Sequence, residues 1–137
     1  MRRSEPTTQA RGPSRAALIS TRSLAGILAA LVLLQGALAG AHLTGQSGAL
    51  DLHREMGTIV LSLLGLVTAV VAAVAFRRNR WAFPVAALAF FGLWAQISLG
   101  FLDRLGIHLP LGIALFGAYL TLAICARDRS TTTIEEQ

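Results

Sequence analysis

Two histidines stand near the start of two long apolar runs, each with a glycine four residues further on: His53-Arg-Glu-Met-Gly57 and His108-Leu-Pro-Leu-Gly112. Positions i and i+4 share one face of a helix, so each imidazole would stand beside a stretch of bare backbone. Two imidazoles meeting from opposite sides are the donor set of an axially ligated haem iron. The bare backbone beside each would let a flat macrocycle lie against the helix. Gln35 and Gln96 sit inside two other apolar runs and are followed by small residues: Gly36, Ala39 and Gly40 in one, Ser98 and Gly100 in the other. These glutamines would bond the second imidazole nitrogen or a porphyrin propionate. The expectation is a haem b site with His53 and His108 on the iron and Gln35, Gln96, Gly57 and Gly112 around it. A plainer alternative stands beside it. Histidines near helix ends reach water, Gly36-x-x-x-Gly40 permits close helix approach, and the glutamines bond across helices for about 0.6 to 2 kcal/mol. His42, at the mouth of a loop, reads as a solvated histidine.

The elements that must position these residues are membrane spans. The charge-free stretches between Arg22 and Asp51, Glu55 and Arg77, Arg80 and Asp103, and Arg104 and Arg127 hold 28, 21, 22 and 22 residues. A hydrocarbon core takes about 20 residues of helix to cross, and a chain of 137 residues cannot bury four such helices on every face. The reading is an all-α integral membrane protein, an up-down-up-down four-helix bundle, with spans at about 24–41, 56–76, 81–102 and 105–126. Residues 1–22 read as a disordered basic tail, and residues 127–137 as a second polar tail. Trp81 reads as an interfacial anchor. Trp94, in mid-span, is expected to pack within the bundle, and the single cysteine, Cys125, to be a small core residue.

All twelve basic residues are Arg. Ten flank the runs on one side, in the N-terminal tail, Arg77 to Arg80 and the C-terminal tail; Arg54 and Arg104 stand alone on the other. This asymmetry predicts cytoplasmic termini in a bacterial inner membrane, with all three histidines on the outer side. Clustering beside the spans is a topology signal, so the net charge of +5 does not indicate nucleic acid. Ala39-Gly40-Ala41 also has the small-x-small pattern of a signal-peptidase site, so cleavage of the first span is an open alternative.

The two halves echo each other. Gln35 and Gln96 mark the first and third spans, and the His-x-x-x-Gly elements open the second and fourth, 55 residues apart. Two tandem hairpins of similar design follow. In an up-down-up-down bundle the second and fourth helices are parallel diagonal neighbours, which brings His53 and His108 to one depth, facing each other across the axis. Walker, dinucleotide-loop and His-Glu-x-x-His motifs are missing. No span carries Asp, Glu, Lys or Arg near its centre, against a proton relay or coupled transporter.

The segments Asp51-Leu52-His53-Arg54, Gln96-Ile97-Ser98-Leu99-Gly100 and Ile107-His108-Leu109-Pro110-Leu111-Gly112 resemble the ligand-bearing helices of haem A synthase. The resemblance covers about residues 50–120, one of that enzyme's two four-helix halves, and implies that His53 and His108 are an axial haem-iron pair. The family's catalytic glutamate falls on Leu50 here, and the loop cysteine pair of some members is absent. The resemblance therefore implies haem binding more than oxidation of a haem methyl group. The chain is similar as well to small four-helix bacterial membrane proteins of unknown function. Three functions follow as expectations: electron transfer or haem handling by a non-enzyme, with the bilayer and a membrane redox partner around it; a cofactor-free protein acting through helix contacts; or a half-size synthase that homodimerises.

Overall fold

The computed structural model describes residues 14–76 and 82–126. Among them are four helices long and apolar enough to cross a membrane: α1 (Arg15–Leu43), α2 (Ala49–Ala75), α3 (Ala82–Phe101) and α4 (Leu105–Cys125). The protein is all-helical and multi-pass. Each helix packs on two neighbours, α1 on α2, α2 on α3, α3 on α4 and α4 on α1, whereas the diagonals make no close backbone approach among the described residues. The result is a square bundle in which α1 makes the two most extensive contacts, with α2 and with α4, the latter closing it.

The inward faces recur at helical spacing: Ala25 and Leu28 on α1, Leu61, Gly65, Thr68 and Ala72 on α2, Ala82, Ala86, Ala89 and Leu93 on α3, and Leu115, Tyr119 and Leu122 on α4. Small residues dominate, and in lipid it is close backbone approach and dispersion, rather than burial of apolar surface from water, that hold helices together. Large apolar side chains point outward instead, among them Leu33, Leu63, Val74, Leu88 and Ile113. The buried threonine hydroxyls satisfy themselves within the helix, Thr21 Oγ1 donating to Ala17 O at 2.9 Å and Thr68 Oγ1 to Leu64 O at 2.7 Å. This is the accounting that hydrocarbon imposes on every polar group.

Several boundaries differ from the expectation. Residues 15–22 are helical, not part of a disordered tail. Ser14 Oγ accepts from Ala17 N at 3.2 Å and caps the helix. Thr21 is buried, and Arg22 Nε reaches across to Ala123 O at 2.9 Å, near the C-terminal end of α4, where the free carbonyls favour a cation. Helix α1 runs on through His42, which is exposed in its last turn rather than in a loop. Helix α2 starts at Ala49, well before Met56, so His53 lies within it. Asp51, in its first turn, suits the helix dipole there. A charge limits the hydrocarbon-embedded length of a helix, but not the helix itself.

Orientations differ as well. Trp94 is 51% exposed, because it follows inward Leu93 by about 100° on the helical wheel and so points out of the bundle. Cys125 is exposed, three residues past inward Leu122. A Cβ built on Gly36 or Gly40 meets no atom within 4 Å, so this pair of glycines faces outward and mediates no packing within the bundle. Residues 1–13, the Arg77–Arg80 turn, Trp81 and the tail from Arg127 lie outside the described residues.

Candidate functional site

The imidazole pair is present. His53 in the second turn of α2 and His108 in the first turn of α4 face each other across the α2–α4 diagonal, with ring centroids 6.1 Å apart and planes inclined by 56°. The 44–48 and 102–104 connections lie at the same end. Both rings are half-buried.

Each ring is held by the main chain of a glutamine on the preceding helix. His53 Nδ1 lies 3.1 Å from Gln35 O, and His108 Nδ1 lies 2.9 Å from Gln96 O. A carbonyl oxygen only accepts, so each Nδ1 carries the proton and donates it. With the proton on Nδ1, a neutral imidazole has its lone pair on Nε2. A ring nitrogen donating to a carbonyl while the other is left as a ligand is the usual outer-shell arrangement of a metal-binding histidine.

The glutamine side chains take the places opened by the two glycines. Gln96 Nε2 lies 3.1 Å from the Cβ position of Gly112 and donates to His108 O at 2.8 Å. Gln35 Oε1 lies 3.7 Å from the Cβ position of Gly57. Gly112 thus makes room for the Gln96 carboxamide, whereas a Cβ at Gly57 would make only ordinary contact with that of Gln35, and a macrocycle lying against either glycine would have to share that space with them. A third glycine belongs to the site: a Cβ at Gly100 would stand 3.1 Å from His108 Cε1 and 3.4 Å from Nδ1, so the imidazole lies against the bare backbone of α3.

Two polar atoms here are buried without a partner, Gln35 Nε2 and Gln96 Oε1. In a low-dielectric interior each such group costs about 1 to 3 kcal/mol. They are a free donor and a free acceptor beside the paired rings, and of the two only the donor, Gln35 Nε2, could engage a carboxylate. The donor set and the orphaned amide donor fit a haem.

All six residues singled out in the sequence come together at one end of the bundle. His42 is exposed in the last turn of α1. Among the described residues no group of three or more His, Cys, Asp or Glu could hold a metal ion. What the sequence did not reveal is that the glutamines act through their backbone carbonyls, which every residue type possesses. Tyr119, buried with its hydroxyl unpartnered, was equally hidden inside an ordinary apolar run. Neither a family model, a curated protein nor a solved structure matches the chain.

Proposed function

From a pair of inward-facing imidazoles with both Nε2 lone pairs unused, we propose that this protein binds haem b near one face of the membrane and serves in electron transfer or haem handling. The carrying observation is the 6.1 Å separation of two rings whose Nδ1 atoms both donate to main-chain carbonyls. His53 and His108 would hold the iron; the carbonyls of Gln35 and Gln96 fix ring orientation and tautomer; Gln35 Nε2 would donate to a propionate. An iron porphyrin supplies one-electron exchange when bound in this way. The arginine asymmetry supports a bacterial inner membrane with cytoplasmic termini, which puts the site at the outer face. The likeness to one half of haem A synthase supports the same ligands, while Leu50 in the place of that family's glutamate favours binding over catalysis.

The test is the absorption spectrum of detergent-purified protein from a haem-supplied host, oxidised and reduced, beside His53→Ala and His108→Ala. The expected result is a Soret band with sharp reduced α and β bands, lost or shifted in both variants. A folded, colourless protein that also refuses added haem overturns the proposal. One observation favours a second reading, contact with a partner helix: the Gly36 and Gly40 faces are open to the outside, the small-x-x-x-small pattern of helix association in lipid. That reading, or its homodimeric form, predicts a stable complex in detergent without colour.

A further inference from the structure

The inward residues of α2 and α4 are spaced differently. On α4 they run His108, Gly112, Leu115, Tyr119 and Leu122, alternating steps of four and three. That alternation averages close to 3.6 residues per turn and keeps one face toward the axis. On α2 they run His53, Gly57, Leu61 and Gly65 in three successive steps of four before Thr68 and Ala72 restore the alternation. Along a regular α-helix, three steps of four overshoot by about 120°, and the face would drift off the axis. It does not drift, because residues Met56–Leu61 form a π-helical turn, which accommodates one extra residue.

We infer that the π-turn Met56–Leu61 selects which side chain of α2 is presented to His108. With Leu61, Gly65 and Thr68 fixed in the core, an α-helical course through this segment would rotate residues 49–55 by about 100°. Arg54, seven residues before Leu61, would then point inward and His53 outward. The turn therefore puts an imidazole where a regular helix would put a guanidinium. Thr58 Oγ1 donates to Arg54 O, bonding the carbonyl of the residue that the turn excludes. This deepens the proposed site by naming what sets its register, but it rests only on the pairing of the two rings.

The test counts residues. Ile59, exposed within the turn, is deleted in one variant; in a second, an alanine is inserted after it. Pairing is read without haem, by replacing Cys125 with Ser, introducing cysteines by His53→Cys and His108→Cys, and bridging them with a short bifunctional thiol reagent in the purified full-length chain. Deletion of Ile59 makes the segment regular while leaving His53 inward, and the cross-link is retained. Insertion loses it and transfers it to the pair made by Arg54→Cys and His108→Cys. A folded deletion variant that loses the 53–108 cross-link, or an insertion variant that keeps it, overturns the inference. Deletion of neighbouring Val60 provides the same count, and failure of both deletions to fold also overturns it. Because no haem enters the measurement, a colourless protein would leave this result untouched, and a coloured one would not supply it.

Discussion

The α1–α2 and α3–α4 hairpins solve one problem with different tolerance. Both hold a histidine by the backbone carbonyl of a glutamine and lay that glutamine's side chain over a glycine. In the second hairpin the bond is returned, Gln96 Nε2 to His108 O, and the helix is α-helical throughout. In the first, Gln35 Nε2 has no partner and the helix passes through a π-turn. His108 is clamped from two sides and rests against Gly100; His53 is tied by one bond. The second half reads as the fixed jaw of the site and the first as the adjustable one. Evenly matched sequence landmarks do not make evenly bonded structures.

That contrast can be broken most decisively by removing the rings. His108→Ala and His53→Ala should each abolish the bis-imidazole spectrum, but added imidazole should rescue His53→Ala more readily, since the fixed jaw is still in place. Equal rescue would count against the distinction. The glycines come next. Gly112→Ala pushes a methyl toward the Gln96 amide at 3.1 Å and should cost about 1 to 3 kcal/mol. Gly57→Ala meets ordinary contact at 3.7 Å and should stay within about 0.5 kcal/mol. Unfolding in detergent measures both, and a reversed order would show that the first half is the tighter. The glutamines complete the series. Gln96→Leu loses a 2.8 Å bond for about 1 kcal/mol. Gln35→Leu, which removes an unpartnered donor, should be neutral or stabilising in the haem-free protein. In haem-loaded protein the sign should reverse if Gln35 Nε2 holds a propionate, and an unchanged haem affinity would remove it from the site.

The bundle was legible because hydrocarbon penalises charge: four uncharged stretches could only be four spans. The same signal misplaced the ends, since Asp51, Glu55, Arg15 and Arg22 belong to helices that outlast the apolar core. The meeting of His53 with His108 was legible from matched positions in parallel diagonal helices. Which way Trp94 and Cys125 turn was not, because a single position on the wheel separates lipid from core and both sides are apolar. The π-turn has no residue signature, although its mark, three successive steps of four from His53 to Gly65, was present in the chain. Only the inward positions of α2, known from packing, turn that spacing into a statement about register.

The bond from Arg22 to the carbonyl of Ala123 bears on how the molecule is made. Of the four helices, synthesis delivers α1 first and α4 last, so one of the two most extensive contacts in the bundle joins the earliest of them to the latest. Until α4 has entered the bilayer, the inner face of α1 must be screened by lipid or by the insertion machinery. His53, released with α2, meanwhile has its carbonyl on α1 but no opposing ring. The two imidazoles come face to face only at the final docking step, which makes completion of the site and closure of the bundle one event in biogenesis.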